Sequence, residues 1–192
     1  MPFPHRIRFC RSCGHPVEHR IPAEDNRERA VCPACGDIHY ENPLNVVGTV
    51  PFWEDRVLLC RRAIEPRRGL WTLPAGFMEL GETTAEGASR ETLEEAGARV
   101  ELCGLFALLN LASVGQVHVF YRARLLDLDF NPGPETLELQ LCRESEVPWG
   151  ELAFRSVDRT LRRYFSDVRA GQFGLHCIDL NWSGGQPTFD PD

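Results

Sequence analysis

The sequence contains no lysine: all 21 of its basic side chains are arginine. A Schiff-base lysine, a pyridoxal-phosphate anchor, a kinase-type catalytic lysine and a P-loop are therefore excluded. Positive charge is also scarce overall, with 28 acidic side chains giving a net charge of −7. That balance argues against nonspecific binding to nucleic acid or to an anionic membrane, both of which need a positive surface. Long apolar runs are missing too. The longest uncharged stretch, Leu102–Val117, is broken by Asn110, Ser113 and Gln116 and is too short to span a bilayer. Met1–Cys10 places prolines and basic residues where the apolar segment of a signal peptide would lie, so a cytoplasmic chain is expected.

What is present suffices for a core. Over 192 residues the hydrophobic fraction is 43% and the aromatic fraction 9%, which suits one ordinary domain with a small appendage. Residues 1–40 show little periodicity. Beyond them, Asn45–Trp53 and Arg56–Arg62, joined by Glu54-Asp55, read as a hairpin, and Gly69–Pro74 as a short buried strand leading into a glycine turn. Thr84–Ala96 is helical in pattern, with Thr83 and Glu86 placed for a capping box and Gly97 for a stop. Strands near Val100–Leu109, Gln116–Leu126 and Leu137–Cys142 follow. Then come an amphipathic helix over Ser156–Ala170, capped by Ser156 and Gly171, a last strand within Gly174–Leu180, and a polar tail. Strands interleaved with helices imply a layered α/β domain.

Eight cysteines fall into two groups. Cys60, Cys103, Cys142 and Cys177 are scattered in apolar surroundings and read as reduced, buried, inert thiols. Cys10, Cys13, Cys32 and Cys35 form two CxxC pairs, each followed by glycine, with 18 residues between the pairs. Four thiolates satisfy tetrahedral Zn²⁺ completely and leave no position for substrate, so a structural zinc ribbon is expected; a redox pair competes, but such motifs come singly. Residues 1–43 carry six arginines against six acids, which favours a scaffolding or dimerising role over nucleic-acid binding.

The negative charge is concentrated. Between Gly76 and Ala98 lie Glu79, Glu82, Glu86, Glu91, Glu94 and Glu95 with Arg90 alone opposing them, so this stretch carries −5 of the −7. On a helix turning about 100° per residue, Glu91, Glu94 and Glu95 share an arc of about 100°. Like charges so placed repel. Either the helix shows a solvated acidic face, or divalent cations supply the missing charge, and oxygen-only ligands suit Mg²⁺ or Mn²⁺ bound together with substrate phosphates.

The spacing decides between them. Gly76, Glu82, Arg90, Glu91, Glu94, Glu95 and Gly97 match every fixed position of Gx5Ex7REUxEExGU, where U is bulky and apolar, and the chain resembles the Nudix hydrolases on that motif. Thr92 and Ala98 stand where larger aliphatics are usual, a departure that touches packing. The resemblance implies an α/β/α sandwich with a mixed sheet, divided as zinc ribbon 1–41, hydrolase domain 42–180 and tail 181–192. It implies an enzyme that hydrolyses a nucleoside diphosphate linked to another group X. Carried over by position, Glu91, Glu94, Glu95 and the Ala75 carbonyl would bind Mg²⁺ or Mn²⁺, Arg90 would orient the glutamates, and Glu82 would support the site. The general base would be Glu91 or Glu95, or a later-loop glutamate, Glu135 or Glu138, of which Glu138 is carried among the catalytic candidates.

The ribbon, HYENP, LLCRRAIEPRRGLWTLPAGFMELGET and PGPETLE together are similar to the zinc-ribbon Nudix group that includes plant FAD pyrophosphohydrolases with ADP-ribose activity. That similarity implies cleavage of FAD to FMN and AMP, or of ADP-ribose. Alternatives are an NADH or nucleoside-triphosphate pyrophosphohydrolase and a non-catalytic nucleotide-sensing regulator. The SQPWPFPxS segment of NADH pyrophosphatases is missing, and Ser113 replaces a proline frequent in ADP-ribose enzymes. Arg61, Arg62, Arg67 and Arg68 flank the motif; guanidinium forks suit phosphate, and Arg61, Arg62 and Arg68 are the substrate-binding candidates, with plain surface arginines the competing reading. Trp53, Phe77 and Phe106 read as core rather than as stacking partners, and His39 and Tyr40 as structural. The expected partner is a small dinucleotide, with neither nucleic acid nor membrane, and the expected assembly a homodimer.

Overall fold

The computed structural model describes residues 6–180, so the expected tail lies outside the described residues. The chain divides into two compact units, the first running to Pro43 and taking in Ser113–Gly115, the second formed by Leu44–Ala112 and the residues from Gln116 onward. The first holds three short antiparallel strands, β1 (Glu18–Arg20), β2 (Arg29–Val31) and β3 (Ile38–His39). Periodicity did not announce them, because strands of two or three residues leave no pattern to read.

The second unit is built on one mixed sheet. Its strands are β4 (Leu44–Trp53), β5 (Arg56–Arg62), β6 (Trp71–Thr72), β7 (Ala75–Phe77), β8 (Val100–Leu111), β9 (Gln116–Leu125), β10 (Thr136–Cys142) and β11 (His176–Asp179). The main order is β10-β5-β4-β9-β8-β11, with β6 on β5 and β7 on β4. β4 runs parallel to β9 and β11 parallel to β8, while the other pairings are antiparallel. The expected hairpin forms at Phe52↔Val57 and Trp53↔Arg56, but the earlier part of β4 pairs with β7 instead.

Strand alternation sorts the core into two layers. Val50, Val57, Leu59, Phe106, Leu109 and Phe120 pack with Val157, Leu161, Tyr164 and Phe165 of α2 (Arg155–Ala170). On the other face Val47 and Val119 pack with Ala88, and Leu58 and Leu125 with Ala96, both alanines lying on α1 (Thr84–Ala96). A helix on each face of a mixed sheet is the expected α/β/α sandwich.

Three readings need correction. Ser156 is not the α2 cap: Phe154 holds that position without a side-chain bond, and Ser156 lies buried in the first turn, where it faces the core. Cys60 and Cys142 are buried, but Cys103 and Cys177 are exposed, since each sits on the outward face of its strand. Phe106 is core, whereas Phe77 is 55% exposed at the end of β7.

Candidate active site

The glutamate helix is fixed at both ends by local chemistry. Glu86 N–H donates to Thr83 Oγ1 at 3.2 Å and Thr83 N–H returns a bond to Glu86 Oε2 at 2.8 Å, closing the capping box. At the other end Gly97 takes φ 62°, a left-handed conformation that glycine adopts without strain, and its N–H reaches Leu93 O. The loop after β9 completes this end. Asn131 N–H donates to Ala96 O and Gly133 N–H to Glu95 O, satisfying carbonyls a helix terminus otherwise leaves open. A Cβ on Gly133 would lie 1.8 Å from Glu94 O, so only glycine fits there.

The buried face of α1 has no large aliphatic residue: it consists of Gly87, Ala88, Thr92, Glu95 and Ala96. Small residues bring the helix backbone close to the sheet. Thr92, where the motif expects bulk, is buried and shares a 2.6 Å hydrogen bond with Thr49 of β4 while donating to Ala88 O. The departure noted from sequence is therefore answered by a polar pair instead of an aliphatic contact. Gly48 allows β7 to close on β4, since a Cβ there would lie 2.4 Å from Ala75 Cβ. Gly76 is equally constrained: its Cβ would sit 2.4 Å from either carboxylate oxygen of Glu91.

These close approaches bury carboxylates. Glu95 is 9% exposed and accepts from Ala75 N–H at 3.1 Å; burial, with Glu91 and Glu135 nearby, pushes its pKa up to about 7. Glu91 is raised by the same burial, with the charges of Glu94 and Glu135 adding to it against Arg90. Arg90 is the hub. It forks onto Glu82 at 3.0 and 2.8 Å, and it donates to Glu91 at 2.7 Å, Glu94 at 3.0 Å and Phe77 O at 3.2 Å. Arg90, with Glu79 N–H, holds the Glu82 carboxyl down at about 2. Glu94 is exposed.

The later-loop candidates separate clearly. Glu135 is an electrostatic neighbour of both Glu91 and Glu95, and its carbonyl accepts from Ala63 N–H. Glu138, the residue carried forward from the sequence, instead faces Arg61 at 3.3 Å on an exposed part of β10. The bulge between Thr136 and Glu138 lies between the two environments. The arginines separate as well. Arg61 Nε is spent on Gly69 O, whereas Arg62, braced by Pro66 O and lying over the Phe154 ring, exerts its charge on Glu95. Arg67 and Arg68 are exposed on the connecting loop. Asn131 and Gly133 were missed from sequence: Asn-Pro-Gly-Pro at 131–134 has the composition of a turn, which says nothing of the helix end its N–H groups reach.

In the ribbon the cysteines converge as two matching turns. Gly14 N–H donates to Cys10 O and Gly36 N–H to Cys32 O, both at 2.9 Å, with φ 75° and 78° at the two glycines. Sγ of Cys10 lies 3.6 Å from that of Cys35, and Sγ of Cys13 lies 3.5 Å from that of Cys32. All four sulfurs fall within 4.8 Å of one another. A disulfide needs about 2.05 Å, while the edges of a tetrahedron with Zn–S near 2.3 Å are about 3.8 Å, so the quartet fits zinc.

The sandwich gathers buried, mutually repelling carboxylates on one helix, and the same chain carries a cysteine quartet that fits zinc; the first arrangement suits divalent-cation chemistry on phosphates, the second a structural metal. The chain belongs to the Nudix family: the profile described as NUDIX domain matches residues 43–165, and that described as Nudix N-terminal, a zinc ribbon, matches residues 8–41. Nudix enzymes use Mg²⁺ or Mn²⁺, which the oxygen-only glutamate set suits, and the ribbon's cysteine quartet suits Zn²⁺. A Nudix hydrolase structure from Nitrosomonas europaea is 52% identical, with a TM-score of 0.86 over 90% of this chain and 99% of that one. An ADP-ribose pyrophosphatase from Streptococcus suis shares the fold, with a TM-score of 0.56 and 24% identity over 71% of this chain and 99% of that one. The NAD-capped RNA hydrolase NudC of Salmonella typhi is 35% identical over 94 residues, which is 49% of this chain and 35% of that enzyme's length. Among the described residues no helix is long and apolar enough to cross a membrane.

Proposed function

We propose that the chain hydrolyses the pyrophosphate bond of a dinucleotide, with FAD, giving FMN and AMP, and ADP-ribose as its first substrates. The observation that carries the proposal is the gathering of Glu91 and Glu95 against Ala75 and Gly76 of β7, where burial and the neighbouring charge of Glu135 raise the proton affinity of both. Glu91, Glu94, Glu95 and the Ala75 carbonyl would hold Mg²⁺ or Mn²⁺, an all-oxygen set suited to those ions. Bound there, the ions would neutralise phosphoryl oxygens and activate water. Arg90, anchored by Glu82, keeps the glutamates oriented. Glu135 is the better-placed later-loop base, because Glu138 is turned to Arg61. Arg62 is the favoured phosphate contact, with Arg68 and Arg61 behind it.

A second reading is an NAD-type substrate, NADH or an NAD-capped RNA, favoured by the names of the NudC relatives. The missing SQPWPFPxS segment weighs against it. A substrate panel with Mg²⁺ or Mn²⁺, resolved by chromatography, separates the readings: FMN plus AMP supports the first, and reduced NMN (NMNH) plus AMP from NADH with FAD left intact supports the second. Glu95→Gln and Glu91→Gln should each abolish turnover with the melting curve retained, and full activity in either would sink the mechanism. We further propose a cytoplasmic homodimer, which light scattering after size exclusion would test for assembly.

A further inference from the structure

Among the described residues of the ribbon, His39 is a polar side chain that is buried without being one of the four cysteines. It is 7% exposed, on β3, and it points inward beside the cysteine quartet. Ligand atoms of Cys10, Asp37 and His39 lie within 4.8 Å of one another. His39 Nδ1 is 3.8 Å from Asp37 Oδ2, while Nε2 is buried without any hydrogen-bond partner. The nitrogen facing the sulfur and the carboxylate is therefore Nδ1. Asp37 is itself tied across the site: Ser12 Oγ donates to Asp37 Oδ2 at 2.5 Å, and Cys32 N–H donates to Asp37 O at 2.8 Å. Ser12 belongs to the first CxxC turn, and Asp37 follows the second.

We propose that His39 is a positioning residue of the zinc centre, donating Nδ1–H to the Cys10 sulfur, with Asp37 and Ser12 bracing the two turns. The chemistry is that of an outer hydrogen-bond layer. Four thiolates on one Zn²⁺ leave a net charge of −2, and N–H donors at sulfur disperse it and fix each ligand's direction. The donation also fixes the imidazole tautomer. With the proton on Nδ1, Nε2 is left as the unprotonated nitrogen, buried and without a hydrogen-bond partner.

The full-length zinc-loaded chain tests this in two ways. Nitrogen NMR of the native protein should show a proton on His39 Nδ1, the nitrogen left bare in the major tautomer of free imidazole; a proton on Nε2 alone would overturn the proposal whatever the variants do. His39→Phe keeps a buried ring and removes the donor. It should release zinc to excess chelator about 10-fold faster or more, the range found when outer-layer partners of metal ligands are removed. Its cobalt-substituted form should show a displaced sulfur-to-cobalt charge-transfer band. His39→Asn, whose carboxamide N–H can replace Nδ1–H, should restore much of both. Release at the native rate with an unmoved band in His39→Phe would refute the positioning role.

Discussion

His118 offers a test of burial that is independent of both metal sites. It lies on β9 opposite Leu109 and Val46, 8% exposed, with Nε2 at 3.0 Å from Gln116 Oε1 and Nδ1 buried without a partner. Charging the ring would add a proton at Nδ1 where nothing accepts it. Burial alone lowers its pKa from 6.5 to about 4. Because the folded value is depressed, the unfolded chain takes up the proton first. The stability held by neutral His118 is complete above the unfolded pKa and is lost as pH falls from 6.5 towards 4. Linkage puts that loss at about 2 kcal/mol by about pH 5 and about 3 kcal/mol at its limit. His118→Leu cannot titrate. Urea unfolding of both proteins from about pH 7.5 to about pH 5 should show the native chain losing about 2 kcal/mol more than the variant, while zinc ligands and surface carboxylates cancel in the difference. Parallel curves for the two proteins would show that His118 is solvated or partnered in both states, and the reasoning from its burial would fall.

Gly76→Ala should fold but lose turnover by about 100-fold or more, since its Cβ would stand 2.4 Å from the Glu91 carboxylate oxygens and displace a side chain the chemistry needs in place; steady-state kinetics beside a melting curve checks both halves. Arg90→Met should cost about 3–5 kcal/mol without divalent cations, because Glu82 and Glu91, with side chains 15% and 12% exposed, lose their counter-charge. Adding Mg²⁺ should return part of that loss in urea unfolding, and the absence of any return would argue against cation binding at Glu91. Thr92→Val alone should cost about 1–3 kcal/mol by leaving the fully buried Thr49 hydroxyl short of its partner, whereas Thr49→Val with Thr92→Val together should be nearly neutral.

Legibility followed the range of the interaction. The cysteine quartet and the α1 span with its caps were readable because their determinants lie within a few residues: Thr83 with Glu86, Leu93 with Gly97, and each CxxC with its following glycine. The contacts that complete the site join distant segments. Nothing near Gly133 says that its N–H caps Glu95 O, or that this contact brings Glu135 and not Glu138 beside the helix. Ser156 was misread for a related reason. A serine at a helix start is a capping signal, but Val157 and Asp158 N–H already bond Phe154 O, so the helix begins one residue earlier and turns Ser156 into the core.

The missing lysine and the small-residue face of α1 combine into one electrostatic consequence. Gly87, Ala88 and Ala96 let the helix approach the sheet, and that approach takes Glu91 and Glu95 out of water, where a charge is costly. Five carboxylates, Glu82, Glu91, Glu94, Glu95 and Glu135, then meet the charges of Arg90 and Arg62. Arg90 is committed to three of them and to Phe77 O, and Arg62 is braced by Pro66 O, so neither can satisfy the remainder. No flexible ammonium exists anywhere in the chain to swing in. On the proposed function, charge balance at the helix would fall to divalent cations from solution, and a pyrophosphate would enter this acidic site in their company.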